Sequence, residues 1–193
     1  MSLKLLPLCP LNTVLFPGGR LPLRIFEPRY VGLVRDSARD GSGFGICFIL
    51  EGQETGVPAT PAAVGCEARI IDFDSGEGGL LSIMVQGGRR FHVVASRVRD
   101  NGLIMAEVRW LAEAATARIR PEHQLLAILL GRLLERAGLD YTKDELEDAD
   151  WVGWRLAEWL PLTMAERQAM LVEEDAHERL QRLVEQLPRF QTD

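Results

Sequence analysis

The sequence predicts an α+β protein in which a β-rich lobe, residues 1–115, precedes a helical lobe, residues 116–193. Several segments of the first lobe alternate apolar and polar residues with a period of two, as half-buried strands do. After about residue 115 the apolar residues recur at helical spacing instead. Strands followed by helices, rather than alternating with them, define the α+β class.

The β-rich lobe is expected to contain one helix among its strands. Pro28 suits a first helical position and Gly41 suits the residue after a last one, so a helix is predicted between them. Pro17-Gly18-Gly19 predicts a tight connection between two apolar runs. The strands are predicted at residues 44–50, 64–70, 80–86, 91–95 and 104–110.

Two hairpin turns are predicted between these strands. Gly87-Gly88 separates one pair of apolar segments, and Asp100-Asn101-Gly102 separates another. Because Asn-Gly tolerates positive φ angles, the second turn is expected to be of type I′.

The helical lobe carries clear start signals. Pro121 is predicted to open a helix whose apolar residues cover most of its circumference, which indicates burial on several sides. Thr142 with Glu145, and Thr163 with Glu166, have the spacing of capping boxes at the starts of later helices.

Charge is unevenly distributed between the lobes. The net charge is −6, yet residues 1–115 hold 12 basic and 12 acidic residues, so all of it lies in the second lobe. Nucleic-acid binding depends on phosphate neutralisation, so this balance disfavours it. No run of 18 apolar residues and no signal peptide is evident, so we expect a cytoplasmic protein without membrane contact.

The residue patterns that mark catalytic and metal sites do not occur in the sequence. There is no phosphate loop, and the glycine-rich residues 41–45 lead into a strand rather than a helix. His92, His123 and His177 are far apart in sequence, and no G-x-S-x-G motif occurs. Cys9, Cys47 and Cys66 are an odd number without a C-x-x-C pair and are expected to be buried thiols. We therefore expect no catalytic residues, metal or cofactor.

Several motifs, in their order, resemble the Lon N-terminal domain family. Residues 10–19 read PLNTVLFPGG and residues 21–30 read LPLRIFEPRY. Residues 64–70 read VGCEARI and residues 85–91 read VQGGRRF. In the helical lobe the matching residues are Leu160-Pro161-Leu162, Gln168, Leu171, Asp175 and Glu178-Arg179-Leu180. The resemblance covers about residues 5–188.

The resemblance implies a PUA-like β pseudo-barrel followed by a helical bundle. In full-length Lon this region precedes ATPase and protease domains, neither of which the 193 residues contain. The expectation is a stand-alone, ATP-independent member that binds unfolded polypeptide segments or a protein partner, as an adaptor or holdase. RNA binding by a PUA-like fold and a small-molecule enzyme are the alternatives.

Peptide binding predicts an open apolar groove between the lobes, rimmed by arginines. Core packing of the aromatic residues and solvated strand edges for the arginines remain open as well. The apolar helices at residues 122–137 and 151–160 also leave a homodimer open. The candidate binding residues are Phe16, Arg24, Phe26, Arg29, Tyr30, Arg89, Arg90 and Trp110.

Overall fold

A computed structural model describes residues 3–75, 81–112 and 116–190. It divides into two compact units, Met1–Ala112 and Glu113–Asp193, called here the β unit and the helical unit. The predicted boundary between residues 115 and 116 adjoins residues 113–115, which lie outside the described residues, so its position stays a prediction. All the described strands precede the helices of the helical unit, which confirms the α+β class.

The β unit contains seven described strands and one α-helix. The strands are β1 (Lys4–Leu11), β2 (Arg20–Ile25), β3 (Phe44–Glu51), β4 (Thr60–Pro61), β5 (Val64–Ser75), β6 (Leu81–Val98) and β7 (Ile104–Trp110). Helix α1 (Pro28–Asp40) begins at Pro28 and ends before Gly41, whose φ of 63° is left-handed. These bounds confirm the predicted helix. The predicted first residue of the β6 segment, Leu80, lies outside the described residues.

Five of the strands close into a ring, as a β pseudo-barrel requires. Strand β1 pairs antiparallel with β7 on one side and parallel with β3 on the other, and β6 and β5 complete the circuit. Strand β2 lies outside the ring and pairs with the first half of β6. The pairing of β1 with β7 places Leu6 opposite Ala106, and both are almost inaccessible to solvent.

Two apolar clusters hold the β unit together. One fills the ring around Phe91, with Leu6, Leu8 and Val108. The other joins Leu33 and Val34 of α1 to β2 and to the strands beneath it. The three cysteines are buried free thiols, as predicted, and burial raises the pKa of Cys9 and of Cys47 to about 12.

The prediction of a hairpin turn at Gly87-Gly88 is wrong, because β6 runs unbroken through both residues. The glycine is needed for close approach instead. A Cβ on Gly87 would lie 2.0 Å from the carbonyl oxygen of Phe16. Gly18 donates its N–H to Gly87 O, and Gly87 donates to Gly19 O, each at 2.8 Å. The predicted Pro17-Gly18-Gly19 turn therefore packs directly on β6.

The second predicted hairpin is present, but its turn type differs. Arg99 N donates to Leu103 O at 2.9 Å, and Gly102 N donates to Arg99 O at 2.8 Å. Among the described residues only glycines have positive φ, and Gly102 has 81°. Asn101 is therefore not left-handed, as type I′ requires. The loop is a type I turn followed by a left-handed glycine.

The helical unit is a series of five short α-helices flanked by two 3₁₀ turns. The first turn covers Pro121–His123 and the second Leu187–Phe190. The helices are α2 (Gln124–Ala137), α3 (Lys143–Glu147), α4 (Ala149–Trp159), α5 (Met164–Val172) and α6 (Ala176–Gln186). No helix in the described parts of the chain is long and apolar enough to cross a membrane.

Both predicted capping boxes are confirmed. The Thr142 hydroxyl accepts the N–H of Glu145, whose carboxylate accepts the Thr142 N–H in return, and Thr163 and Glu166 repeat this exchange. The expected burial of α2 on several sides is wrong. Leu126 and Leu130 are buried, but Leu125 is 66% and Ile128 51% exposed, so the helix buries one face.

Arg179 is the central polar residue of the helical unit. It is fully buried, and its guanidinium lies 3.3 Å from the ring centroid of Trp154. It donates to Asp150 Oδ1 at 2.7 Å, to Glu173 O at 2.6 Å and to Met170 O at 3.3 Å. One side chain thus ties α4, α6 and the end of α5 together.

Candidate functional site

A small cleft opens in the β unit where β2 leads into α1. Phe26 lies in the short link between these elements and is 60% exposed at the rim of the cleft. Leu11, Leu23 and Tyr30 contribute apolar lining. The cavity volume is about 40 Å³, far below the roughly 300 Å³ at which ligand pockets begin. The cleft suits part of one apolar side chain rather than a small-molecule substrate.

An ion pair holds this end of α1 in place. Arg29 Nη2 lies 2.5 Å from Glu27 Oε2, and both side chains are largely buried. The other Glu27 oxygen accepts the N–H of Gly56 at 2.8 Å, and Arg29 Nη1 donates to Gly102 O at 3.3 Å. The pair therefore fastens the loop at Gly56 and the β6–β7 hairpin to the helix start. A buried ion pair with this many partners within the protein has a structural role rather than a ligand-binding one.

The remaining polar groups of the cleft differ in whether they already have hydrogen-bond partners. The Arg24 side chain is exposed and makes no hydrogen bond or ion pair with any described residue. Glu54 accepts the N–H of Asn12 at 2.6 Å through Oε1. Burial is the main reason that the pKa of Tyr30 is raised to about 12. The Tyr30 hydroxyl therefore stays neutral, and Arg24 is the cation at the rim that remains available to a ligand.

A second cluster surrounds Trp110 at the end of β7. The guanidinium of Arg89 lies 4.2 Å from the Trp110 ring centroid and Lys4 Nζ lies 5.7 Å from it. Phe91 meets the same ring edge-on at 6.1 Å, so Trp110 also closes the core of the ring of strands. Sequence reasoning missed Lys4, because only the pairing of Lys4 with Val108 brings it here.

The eight candidate residues do not form one site. Arg24, Phe26, Arg29 and Tyr30 lie at the cleft, whereas Arg89 and Trp110 belong to the second cluster. Arg90 meets the end of β7 through its backbone carbonyl, which accepts the Leu111 N–H. Arg24 lies opposite Ser82 on β6, and Arg90 is eight positions further along that strand.

Three of the eight candidates are buried. Phe16 is fully buried, and its carbonyl accepts the Gly19 N–H, so it is a core residue. Arg29 and Arg90 are each only 7% exposed and cannot rim an open groove as predicted. The other five candidates keep some exposure, and their role in binding stays a prediction.

Two of the three histidines meet in the helical unit. His123 is buried and stacks on His177, with ring centroids 5.8 Å apart. Folding thus brings together two residues that are 54 positions apart in sequence. Among the described residues, no group of three or more His, Cys, Asp or Glu side chains is placed to hold a metal ion.

Comparison with known proteins matches this two-part architecture. A Lon N-terminal domain protein from Xanthomonas campestris is 49% identical in sequence, with a TM-score of 0.81, covering 94% of this chain and 97% of that one. The N-terminal domain of a Mycobacterium avium complex Lon protease is 22% identical, with a TM-score of 0.70 and the same coverage, and shows the shared fold. A closed ring of strands followed by these helices is thus the fold of Lon N-terminal domains.

The family follows from the sequence match. The family model for the ATP-dependent protease La (LON) substrate-binding domain matches residues 5–189, and the chain belongs to that family. A Lon protease from Roseiflexus castenholzii is 30% identical over 199 aligned positions, which cover 96% of this chain and 24% of that protein. Lon protease 2 from Myxococcus xanthus is 34% identical over 93 residues, covering 47% and 11%. The chain spans about a tenth to a quarter of these relatives.

Proposed function

We propose that this protein binds exposed apolar segments of other polypeptides and catalyses no reaction on them, acting as an adaptor or holdase. The observation that carries the proposal is Phe26, a large aromatic side chain left 60% exposed beside an apolar cleft. Membership of a substrate-binding domain family supports the same function. The available cation of Arg24 lets the rim also hold a carboxylate of the bound chain.

The size of the cleft sets the expected strength of binding. Full burial of a phenylalanine side chain contributes about 1.5–3 kcal/mol, and Phe26 has a little over half of its surface left to bury. One such contact distinguishes an unfolded chain from a folded one only weakly. Further weak contacts along the bound chain must add to this one, and dissociation constants in the micromolar range are therefore expected.

A non-catalytic role is supported by how the carboxylates of the cleft are used. Glu27 is paired with Arg29 and accepts a backbone N–H, and Glu54 accepts another. Neither carboxylate has a nucleophile within its hydrogen bonds. The raised pKa of Tyr30 keeps that hydroxyl from acting as a base near neutral pH.

The second candidate function is RNA binding at the Trp110 cluster. Arg89 and Lys4 over an aromatic ring form the kind of surface on which a base stacks. The half-buried state of Trp110 and its packing on Phe91 favour a structural role instead. Association with tRNA that falls steeply with salt, and is lost in Arg89→Ala, would establish this function in place of the first.

The test of the main proposal is a fluorescence anisotropy titration with a labelled, permanently unfolded protein, and with its folded parent as a control. Saturable binding to the unfolded form alone is expected. Phe26→Ala should weaken it about tenfold, a loss of about 1.4 kcal/mol. The matched variant Leu125→Ala removes a similarly exposed side chain from the helical unit and should leave affinity unchanged.

Two outcomes would overturn the proposal. The first is no binding up to about 100 μM, which corresponds to an affinity weaker than about −5.5 kcal/mol. The second is equal binding to the folded parent. If Leu125→Ala weakens binding and Phe26→Ala does not, the cleft is not the binding surface.

A further inference from the structure

The second half of β6 has an open side. Strand β5 pairs with β6 as far as His92, and beyond it the Val93 N–H still donates to Ala63 O at 2.7 Å. From Ala95 to Val98, β6 pairs with β7 alone, and no other described strand lies against it. Residues 94–98 are all exposed.

Hydrogen-bond alternation identifies the free backbone groups. Residues along an antiparallel ladder alternately point their N–H and C=O groups toward the partner strand and away from it. The Arg99 N–H points toward β7, because it donates to Leu103 O. Because the direction alternates from residue to residue, the backbone groups of Arg97 also face β7. Those of Ser96 and Val98 face the open side.

The position of Pro7 on β1 is consistent with this alternation. It lies opposite Met105 on the other side of β7, and Met105 lies opposite Arg97. The backbone N–H and C=O of Met105 bond to β6, so the position opposite Met105 on β1 forms no hydrogen bond with β7. Proline fits this position because it has no backbone N–H.

Other open edges in the β unit carry a block that β6 lacks. Pro7 lies on the part of β1 that β3 does not reach, and Pro22 lies on β2, which pairs only with β6. On β5, the Phe73 N–H is already bonded to Asp72 Oδ1 at 2.8 Å. A proline, which lacks the N–H, or an N–H already bonded to a side chain hinders strand addition. Ser96 and Val98 carry neither device.

The open side of β6 is also joined to the cleft. Arg29, at the start of α1, donates to Gly102 O in the hairpin that directly follows β6. The cleft beside Phe26 and the open edge of β6 are therefore linked through the same hairpin. A polypeptide bound at the cleft lies near this edge.

We propose that an extended segment of the bound polypeptide adds to Ala95–Val98 as a further strand, held by the backbone groups of Ser96 and Val98. This inference rests on the proposed function and names the conformation that is recognised. Unfolded chains offer free N–H and C=O groups that match the edge, which folded proteins have already paired. Recognition through the backbone requires no particular sequence.

Side chains beside the edge define the preferred segment. Val98 is 56% exposed and offers apolar contact on one face of the strand. Arg97 and Arg99 are exposed and make no ion pair with a described residue. A segment without proline, apolar at alternate positions and carrying a carboxylate beside Arg97, is therefore favoured.

Residue-resolved amide hydrogen exchange by NMR tests the proposal with the full chain and the permanently unfolded protein as the probe. In the free protein, the Ser96 and Val98 amides should exchange rapidly while the Arg97 amide, bonded to β7, is protected. Saturating probe should slow exchange at Ser96 and Val98 at least about tenfold and leave Arg97 unchanged.

A pair of substitutions provides the second measurement. Ser96→Pro removes the outward N–H but no bond to β7, and should weaken probe binding about tenfold, whereas Ser96→Ala keeps the N–H and should change affinity less than about twofold. Exchange in the wild-type protein decides the matter if the proline variant does not fold.

The outcomes separate this inference from the proposed function. Probe binding without protection at Ser96 and Val98 overturns strand addition and leaves polypeptide binding intact. Absence of probe binding overturns both. Protection that appears without probe and rises with protein concentration identifies a second copy of this chain as the added strand, and contradicts the proposal.

Discussion

The β unit and the helical unit are stabilised by different kinds of contact. In the β unit, residues distant in sequence meet at very short range, as when Gly87 touches the carbonyl of Phe16. In the helical unit, helices begin at their own caps, such as Thr142 and Thr163, and are then joined by Arg179. Close steric contacts between distant segments therefore set the packing of the β unit. Local helix caps and one buried arginine organise the helical unit.

The largest expected effect comes from Arg179→Ala. It leaves Asp150 and two backbone carbonyls without their donor and empties the space against Trp154. Loss of one partner from a buried ion pair costs about 3–5 kcal/mol. Urea unfolding followed by tryptophan fluorescence measures the loss, since three of the four tryptophans lie in the helical unit.

Arg182→Ala is the matched control. Arg182 also pairs with a carboxylate, Glu173, at 2.6 Å, but its side chain is 47% exposed. An exposed pair of this kind contributes about 1 kcal/mol or less. Similar losses in the two variants would contradict the structural role given to Arg179.

Gly87→Ala tests the steric character of the β unit. The added methyl group cannot be accommodated 2.0 Å from a backbone oxygen, so the Phe16 turn must move away from β6 at a cost of about 1–3 kcal/mol. Differential scanning calorimetry should show a lower unfolding temperature.

Gly32→Ala uses the same substitution where nothing lies within 4 Å, in the middle of α1. There alanine should stabilise by about 0.5–1 kcal/mol. Destabilisation at position 32, or none at position 87, would show that close approach does not explain the glycines.

Glu158 should make the helical unit sensitive to pH. Burial raises its pKa from 4.5 to about 7, against the opposing effect of Arg155. The folded state then holds a proton that the unfolded state releases, so the stability contributed below pH 4.5 is lost as pH rises toward 7. Glu158→Gln should remove this decline, which we expect to total about 2 kcal/mol.

The difference between wild type and Glu158→Gln isolates this group. The pKa of Glu166 is lowered to about 2, chiefly by the hydrogen bond from Arg189, so its stabilising effect is lost only in more acidic solution. Between pH 5 and pH 8, the urea midpoint of the wild-type protein should fall as pH rises. The midpoint of Glu158→Gln should fall less steeply. Parallel curves would contradict the raised pKa.

The effect at a helix cap is expected to be smaller than those at Arg179, Gly87 and Glu158. Thr163→Ala removes the acceptor for the Glu166 N–H and should cost about 1 kcal/mol in urea unfolding. Thr163→Ser keeps a hydroxyl at the same place and should cost much less. Equal losses would mean that the methyl group of Thr163, rather than the capping hydrogen bond, matters.

Sequence patterns predicted the fold class and the local elements well and the candidate site less well. Pro28, Gly41 and both capping boxes mark element ends through contacts within a few residues. Of the candidate site residues, Phe26 and Arg24 are exposed, but Phe16 and Arg29 are buried, and the sequence alone left surface and core positions open for them. No periodicity distinguishes an aromatic residue in a core from one at a cleft.

By itself, the sequence determined where α1 begins and ends, where the two capped helices begin, the strands-then-helices order, and the resemblance to a family. These features depend on neighbours along the chain, so they are legible in a linear pattern. Only the tertiary structure decided that Gly87 is a contact rather than a turn, that Arg29 and Arg179 are buried, and that the end of β6 is open. Each of these depends on which distant segment packs alongside, and strand pairing and burial are set by the folded chain as a whole.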